Sequence, residues 1–191
     1  SAALFTTQGT LDKYRDRYSD LPESKFRLIM NGYDEHDFKR AGSVRKTSPR
    51  NNGPVVLLHT GSIDPDFRNP ESLFRALSLL KRSGLDATRL AVRFLACGCE
   101  EHYQLMAASF GVDDIVSIEK RLPYHTTLSE MMSSDGLLLL QGAGANQQIP
   151  AKLFEYLRAG APILGLLHPD GDSAELLKKV GVGEVVSIDD A

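Results

Sequence analysis

The chain has 191 residues, which at about 150 residues per domain corresponds to one full domain and little more. The composition is 42% hydrophobic and 25% charged, which is ordinary for a globular domain and excludes a largely disordered chain. The net charge of −3 gives no electrostatic basis for nucleic-acid binding, and the apolar runs are far shorter than the roughly 18 residues of a membrane span, so we expect a soluble, cytosolic domain.

Short apolar segments along the chain are predicted to be β-strands. They cover residues 4–7, 26–30, 55–60, 90–96, 115–118, 136–140, 163–166 and 184–188. Several are apolar on both faces, as in residues 55–58 (VVLL), which is typical of strands inside a parallel sheet covered by helices. Amphipathic segments between them are predicted to be helices, at residues 10–18, 70–83, 100–110, 126–133, 150–159 and 173–180. This alternation predicts an α/β fold with a doubly wound parallel sheet.

Residues 39–54 interrupt the alternation. They are polar, basic and rich in Gly, Pro and Asn, which predicts an interdomain linker or an exposed connection. The basic cluster of Arg45, Lys46 and Arg50 could contact acidic lipid, although a solvated linker is the favoured interpretation. The elements after this stretch make a near-complete domain, whereas those before it have the pattern of the tail of a larger unit.

The loop after the strand at 55–60 is the first candidate ligand site, because doubly wound sheets bind ligands at the carboxyl ends of their strands. Gly61, followed by Ser62, lets the backbone pass close to a ligand. The helix that begins at Pro70 directs its N-terminus back toward this loop, and Arg68 just before it could bind a phosphate. On this loop alone, a plain strand-to-helix turn with a solvated arginine is the favoured interpretation.

The loop of residues 141–149 is the second candidate. Its small residues leave backbone N–H groups accessible to a sugar or a phosphate. On the helix that begins near Pro150, Lys152 and Glu155 are three residues apart and share a face. One cation and one carboxylate at a helix start could bind a phosphate and the hydroxyls of a ribose. A surface ion pair between the two side chains is the alternative.

Residues 150–165 (PAKLFEYLRAGAPILG) closely resemble the donor-site segment of the GT-B glycosyltransferases, the retaining, group 1 or family 4-like enzymes that use nucleotide-sugars. A branch of that family carries a P-x-K-x-x-E-Y-x-x-x-G-x-P-I/V segment here. The residues that fit it are Pro150, Lys152, Glu155, Tyr156, Gly160, Pro162 and Ile163. Further segments resemble the family in the same order, at residues 2–7 (AALFTT), 29–34 (IMNGYD), 57–62 (LLHTGS) and 122–125 (LPYH).

The resemblance implies the Rossmann-like C-terminal half of a GT-B fold. Residues 1–25 are then the tail of an N-terminal acceptor domain plus a connecting helix, and residues 26–191 are the nucleotide-sugar-binding domain. The implied function is donor binding in a retaining glycosyltransferase of polysaccharide biosynthesis, which transfers a sugar from a nucleoside diphosphate sugar to a glycan, lipid-linked or small acceptor. We expect this chain alone to be inactive, because the acceptor site belongs to the N-terminal domain of the same polypeptide.

The resemblance also implies roles for single residues. A glutamate at the position of Glu155 holds the nucleotide ribose, and the residue that contacts the donor sugar is Gln147, where the family usually has a second glutamate. Arg68 and Lys152 are expected to bind the diphosphate, and the turn with Pro123 and Tyr124 to lie near the base. The candidate donor-binding residues are Gly61, Ser62, Arg68, Pro123, Tyr124, Gly144, Gln147, Gln148, Ile149, Pro150, Lys152, Leu153 and Glu155; no catalytic residue is assigned.

No metal or cofactor is expected, because Cys97 and Cys99 have no further partners at ligand spacing and enzymes of this fold generally need no bound metal. His59 and His125 could line the cleft, but a structural histidine is the favoured interpretation for each. The expected location is the cytoplasm, with peripheral association of the full protein at the inner face of the membrane as a further expectation, and no nucleic acid is expected as a partner.

Two other functions stay open at this stage. The non-hydrolysing UDP-N-acetylglucosamine epimerases share the fold, but their catalytic acids and histidine have no match that we can place in this sequence. A degenerate domain that binds a nucleotide-sugar or a protein partner without catalysis is kept open by the uncharged Gln147.

Overall fold

The computed structural model describes residues 1–42 and 53–188. The strands are β1 (Ala3–Phe5), β2 (Phe26–Leu28), β3 (Val55–Thr60), β4 (Leu90–Leu95), β5 (Val116–Glu119), β6 (Gly136–Gln141), β7 (Ile163–Leu167) and β8 (Gly183–Val186). The helices are α1 (Gln8–Arg17), α2 (Glu35–Ala41), α3 (Glu71–Arg82), α4 (Glu100–Ser109), α5 (Tyr124–Ser133), α6 (Ala151–Ala159) and α7 (Asp172–Val180). Over these described ranges, none of the helices combines the length and the apolar character that crossing a bilayer requires.

Strands β3 to β8 form one parallel sheet in the order β5-β4-β3-β6-β7-β8. The order runs outward from β3 in one direction and then outward from β6 in the other, so the topological switch point lies between these two central strands. All six residues of β6 are buried, as its continuous apolar sequence predicts. The predicted doubly wound, Rossmann-like α/β fold is therefore confirmed.

Helices cover both faces of this sheet and close two hydrophobic clusters. On one face, Phe74 from α3 packs edge-on against Phe94 from β4, with ring centroids 5.8 Å apart. On the other face, Leu153 and Tyr156 from α6 pack with Leu177 from α7. Each large side chain buried in this way contributes about 1.5–3 kcal/mol relative to an exposed one, so the two faces together stabilise the sheet that carries the loops.

The N-terminal elements form a separate small unit. Strands β1 and β2 pair in parallel as a two-stranded sheet, with Ala3 opposite Phe26. Phe5, Leu11 and Phe26 make their own small cluster beneath α1. The two strands on either side of residue 25 therefore pair with each other; the division of the chain at residues 25 and 26 stays a prediction.

Helix α2 is not predicted from the sequence pattern. Asp34 caps it, since its Oδ1 accepts a hydrogen bond from the backbone N–H of His36 at 2.7 Å. Phe38 is only 2% exposed and packs among the residues of the second cluster. Arg158 lies over the Phe38 ring at 5.1 Å, and its guanidinium makes a two-pronged ion pair with Glu35.

The predicted linker at residues 39–54 is thus wrong at its start, because residues 39–41 form the last turn of α2. One large apolar residue and one alanine in a seven-residue helix give no clear periodicity, so the polar composition misled the prediction. The basic cluster of Arg45, Lys46 and Arg50 lies outside the described residues.

Other predicted boundaries differ by a few residues for local reasons. The first strand ends at Phe5 because Thr7 is the N-cap of α1, where its hydroxyl accepts a hydrogen bond from the N–H of Thr10. The helix expected to begin at residue 126 begins at Tyr124, directly after Pro123. This shift brings the predicted base-turn residue Tyr124 onto the first turn of a helix.

Candidate functional site

The two candidate loops meet at the carboxyl ends of β3 and β6, on either side of the switch point. The backbone N–H of Gly142 donates a 2.6 Å hydrogen bond to the carbonyl of Phe67. A methyl group on Gly144 would lie 2.5 Å from the Phe67 ring, so glycine is required for this approach. Loops that are about 75 residues apart in sequence therefore form one edge of the sheet, where doubly wound folds bind ligands.

Lys152 from α6 reaches across to the turn after β3. Its Nζ donates a short hydrogen bond to the carbonyl oxygen of Thr60 and lies 3.4 Å from Nε2 of His59. Gly61 has φ of +84°, and a Cβ built on it would lie 3.1 Å from the same Nζ. The lysine ammonium therefore sits directly against the glycine turn rather than at the outer surface of α6.

A buried polar network holds this arrangement from below. The Tyr156 hydroxyl accepts a 2.9 Å hydrogen bond from the N–H of Thr60. The same hydroxyl lies 3.4 Å from the carbonyl oxygen of Leu138, which also bonds Nδ1 of His59 at 2.9 Å. Burial raises the pKa of Tyr156 to about 12, so this group stays neutral at physiological pH.

The charges around Lys152 are unbalanced. Burial, followed by the positive charge of Arg68, lowers the pKa of Lys152 to about 7, and the carboxylate of Glu155 only partly opposes this. Complete burial, followed by the charge on Lys152, holds the pKa of His59 well below its ordinary value, so the imidazole is neutral. An anion placed beside Lys152 and Arg68 would relieve their repulsion, and charged groups with pKa values perturbed in this way are typical of functional sites.

Arg68 is positioned by the turn that precedes α3. Its backbone N–H donates to the carbonyl of Asp64 at 3.0 Å, and its guanidinium lies 3.6 Å from the Asp64 carboxylate. Asp64 also accepts a 2.7 Å hydrogen bond from the N–H of Phe67. The side chain is 28% exposed, so a ligand can reach it from solvent.

The predicted ribose carboxylate is joined to the predicted base turn. The Tyr124 hydroxyl donates a 2.7 Å hydrogen bond to Oε1 of Glu155. Partial burial, together with this bond to a carboxylate, raises the pKa of Tyr124 above its ordinary value. Glu155 is therefore hydrogen-bonded to Tyr124, whereas Lys152 is directed toward Gly61. The two side chains share a helix face but contact different parts of the site.

The loop after β6 is held by a side chain that the sequence analysis did not single out as important. The Gln141 amide nitrogen donates to the carbonyl oxygens of Ala145 and Gln148, the latter at 2.8 Å. Its amide oxygen accepts a 2.7 Å hydrogen bond from Ser173 at the start of α7. The sequence does contain a signal for this role of Gln141, which is a polar residue at the end of an otherwise apolar strand. Such a residue indicates a structural role, because a buried amide must find hydrogen-bond partners.

Helix α1 contacts the same loop from the other side. The hydroxyl oxygens of Thr7 and Thr10 each lie 2.5 Å from the carbonyl oxygen of Gln147. The backbone N–H of Gly9 donates to the Asp172 carboxylate at 3.2 Å. The N-terminal unit is therefore docked on the candidate site through polar contacts.

The predicted site residues fall into distinct groups. Gly61, Arg68 and Lys152 come together at the end of β3, and Glu155 with Tyr124, after Pro123, forms the neighbouring pair. Ser62, Gly144, Gln147 and Gln148 are exposed along the loop edges, and Pro150 precedes α6. Ile149 and Leu153 are buried in the core, so their side chains are not available to a ligand, and the N–H of Leu153 is bonded to the Pro150 carbonyl.

Two clefts flank the loop at residues 142–148. One, of about 460 Å³, lies between this loop and the start of α3, and its lining includes Pro65, Asp66 and Phe67. The other, of about 470 Å³, lies between the loop and α1, where Thr10, Lys13 and Tyr14 line it. Both volumes are in the range of small-molecule sites.

The cysteines and possible metal ligands can be placed as well. Cys97 is fully buried, which raises the pKa of its thiol to about 11, and Cys99 is exposed; both thiols are free. Across residues 1–42 and 53–188, no three His, Cys, Asp or Glu side chains group in a way that could hold a metal ion. The expectation that no metal is bound stays a prediction.

Comparison with known proteins gives a likeness in structure only. No protein-family model matches the sequence, and no curated protein matches it significantly. The structure of WaaG, a glycosyltransferase involved in lipopolysaccharide biosynthesis, matches 96% of this chain and 48% of its own, with a TM-score of 0.70 and 17% identity. A glycosyltransferase from Rickettsia africae matches 98% of this chain and 49% of its own, with a TM-score of 0.71 and 12% identity.

A third solved structure is that of Anabaena HepE in complex with UDP. It matches 95% of this chain and 53% of its own, with a TM-score of 0.61 and 15% identity. This chain therefore spans about half the length of the solved structures that it matches. The predicted resemblance to one half of a GT-B glycosyltransferase is confirmed at the level of the fold.

Proposed function

We propose that this chain is the nucleotide-sugar-binding half of a glycosyltransferase. The observation that carries the proposal is the position of Lys152 against the Gly61 turn, with Arg68 near enough to repel its charge, at the carboxyl end of β3. Two basic side chains that repel each other, at the switch point of a doubly wound sheet, are suited to a diphosphate. The UDP in the HepE structure supports the choice of a nucleoside diphosphate.

In the proposed complex, the diphosphate lies against Lys152 and Arg68, with the first backbone N–H groups of α6 directed at it. Glu155 uses the oxygen that Tyr124 does not occupy to accept from the ribose hydroxyls. The base lies beside Pro123 and Tyr124. The sugar lies along the loop at Gln147, whose amide can donate and accept hydrogen bonds without charge.

The chemistry of this half is stabilisation of the departing diphosphate. As the bond from the sugar to the diphosphate breaks, negative charge grows on the phosphate oxygens, and in this scheme Arg68, the protonated Lys152 and the N–H groups of α6 stabilise it. The proposed reaction is retaining transfer from a nucleoside diphosphate sugar to a glycan, lipid-linked or small acceptor, with no metal ion. The acceptor site is assigned to an N-terminal half of the same polypeptide.

Calorimetric titration of the chain with UDP and GDP in the presence of EDTA tests the proposal. We expect binding of at least one of the two, weaker binding of that nucleotide by Lys152→Met, and no sugar transfer by this chain alone. Joining an N-terminal half should confer transfer or donor hydrolysis. A folded chain that binds no nucleoside diphosphate would overturn the proposal, and robust transfer by this chain alone would overturn the assignment to one half of the enzyme.

One observation favours a second candidate, a nucleotide-sugar-binding domain without catalysis. Gln147 is exposed beside the cleft and carries no charge, where the resembling family usually has a glutamate. If this candidate is correct, the complete polypeptide will bind the donor but turn none over, and Gln147→Glu will raise donor affinity without creating activity. Turnover by the complete polypeptide with Gln147 in place excludes it.

A further inference from the structure

His59 is a buried side chain that the proposed binding scheme does not use. It is fully buried at the end of β3, and its Nδ1 lies 2.9 Å from the carbonyl oxygen of Leu138. Because a carbonyl only accepts hydrogen bonds, Nδ1 must carry the proton, and Nε2 is left as an acceptor. That acceptor faces Nζ of Lys152 at 3.4 Å.

We propose that His59 is a positioning residue that holds the amine of Lys152 at the Gly61 turn, ready to take up a proton together with the diphosphate. This inference rests on the proposed function, because the ligand that brings the charge is a nucleoside diphosphate. It adds a residue that lies beneath the site and touches no ligand.

The geometry leaves the lysine little freedom. Two of its N–H bonds are directed at fixed acceptors, the Thr60 carbonyl and the imidazole of His59. The Thr60 backbone is in turn held by the Tyr156 hydroxyl at 2.9 Å. The lone pair of the amine is then left over Gly61, and the proton taken up there gives a third N–H that can meet a ligand, where the missing Cβ leaves room.

The charged and titratable groups that face Lys152 come from three elements. Arg68 from the loop before α3 opposes protonation of the lysine, and Glu155 from α6 favours it. His59 from β3 and Tyr156 from α6 are neutral, as their pKa directions require. A diphosphate beside Lys152 would reverse the balance, so the amine takes one proton from solvent as the ligand arrives.

A neutral imidazole suits this task better than a carboxylate would. A carboxylate at the same place would pair with the lysine permanently and repel the diphosphate. The imidazole accepts a hydrogen bond from the lysine and adds no negative charge, so the full attraction of the cation remains available to the ligand.

Binding measurements with UDP test the inference in the whole chain. Between about pH 7 and about pH 8.5, wild-type affinity should fall by up to about tenfold per pH unit, and calorimetry in buffers of different ionisation enthalpy should show uptake of about one proton per UDP at the upper end. His59→Asn keeps a donor for Leu138 but removes the acceptor for Lys152. We expect it to bind UDP about tenfold more weakly at the upper pH, with a smaller loss at the lower pH.

Two variants complete the design. His59→Gln places an amide oxygen within reach of Lys152 and should recover most of the affinity lost in His59→Asn. Lys152→Met should lose the proton uptake altogether. If His59→Asn keeps both the wild-type pH profile and the wild-type proton uptake, His59 does not position Lys152 and the inference is overturned.

A measurement without ligand separates this inference from the proposed function. NMR titration of the Lys152 amine in the free chain should show that His59→Asn lowers its proton affinity by about tenfold, because a hydrogen bond to the charged form is lost. The same proton affinity in both folded proteins overturns the inference whatever ligand binds. Failure of the folded wild type to bind UDP or GDP overturns the proposed function instead.

Discussion

The hydroxyl of Tyr124 donates a hydrogen bond to Oε1 of Glu155 at a distance of 2.7 Å. This contact joins the first turn of α5 to the middle of α6, 31 residues further along the chain. It fixes one oxygen of the carboxylate and leaves the other for a ligand. In the proposed complex, the group that binds the ribose and the turn that contacts the base therefore act as one unit.

Replacing Glu155 with Ala should weaken UDP binding by about 1.5–3 kcal/mol, the range for a hydrogen bond to a charged group. Calorimetry on the folded chain measures the change. Glu155→Gln is the matched control, because it keeps the shape but loses the charge and should lose only part of the affinity. Equal affinity in wild type and Glu155→Ala contradicts the assignment of the ribose contact.

Replacing Tyr124 with Phe should weaken UDP binding by about 0.5–1.5 kcal/mol, because Glu155 loses the bond that orients its carboxylate. The same substitution in a Glu155→Ala background should cost clearly less, since the contact is already gone. A double-mutant cycle measured by calorimetry gives the coupling. Strictly additive losses would show that Tyr124 acts independently of Glu155.

Neutralising Arg68 or Lys152 should narrow the difference in affinity between UDP and UMP, because each cation is expected to interact with the added phosphate. Uridine binding should be nearly unchanged in Arg68→Gln and Lys152→Met. Arg82→Gln is the matched control, since Arg82 is exposed at the C-terminal end of α3. An equal loss of uridine affinity would assign these side chains to folding or to the base.

The free energy of unfolding should depend on pH because Lys152 titrates at a different pH in the folded and the unfolded chain. Its folded pKa of about 7 lies below the ordinary value of about 10.4, so the unfolded chain binds more protons above pH 7. The free energy of unfolding should therefore rise with pH from about 7 to about 8.5, by at most about 1.4 kcal/mol per pH unit. At higher pH the raised pKa of Cys97 works in the opposite direction.

Urea denaturation of the wild type and of Lys152→Met over this pH window isolates the effect, because every other group is common to both proteins. The difference in unfolding free energy between them should change steadily with pH. Parallel pH profiles would mean that Lys152 titrates at its ordinary pKa in the folded chain.

Replacing Gln141 with Leu should destabilise the fold by at least about 2 kcal/mol. The substitution removes the three hydrogen bonds of the amide, each worth about 0.5–1.5 kcal/mol, and places an apolar side chain against their polar partners. The Gln148 N–H still bonds the Ala145 carbonyl, and Ser173 still reaches the Gln148 carbonyl, so no partner is left unpaired. Gln104→Leu, on the exposed face of α4, is the control and should change stability little. Equal unfolding midpoints for the two variants would contradict this role.

Much of the fold is predictable because its strands are unusual in sequence. A run such as residues 137–140 (LLLL) is apolar on both faces, which only a strand covered by helices on both sides can satisfy. The sequence pattern does not predict α2, because Phe38 is its only buried residue. The position of α2 depends on the ion pair between its own Glu35 and Arg158, which lies 123 residues further along the chain.

The candidate site is only partly predictable for a related reason. The sequence indicates the glycine turn at Gly61 and the Lys152 and Glu155 pair, because local spacing and the family resemblance both point to them. It does not show that His59 meets Lys152, since these residues are 93 positions apart and the contact exists only after β3 and α6 have packed. Polar side chains at the buried ends of strands, such as His59 and Gln141, are the residues to inspect first in similar sequences.

The carbonyl oxygen of Gln147 receives the hydroxyls of Thr7 and Thr10 together, which occupies both of its lone pairs. The segment from Gln147 to Ile149 is thus attached to α1, and Asn31 adds a third tie through its 3.1 Å bond to the Ile149 carbonyl. The two parts of the chain are mechanically coupled. Because of these hydrogen bonds, we expect α1 to move whenever this loop moves during a binding cycle. The mobility of α1 would then report whether the loop has changed its conformation.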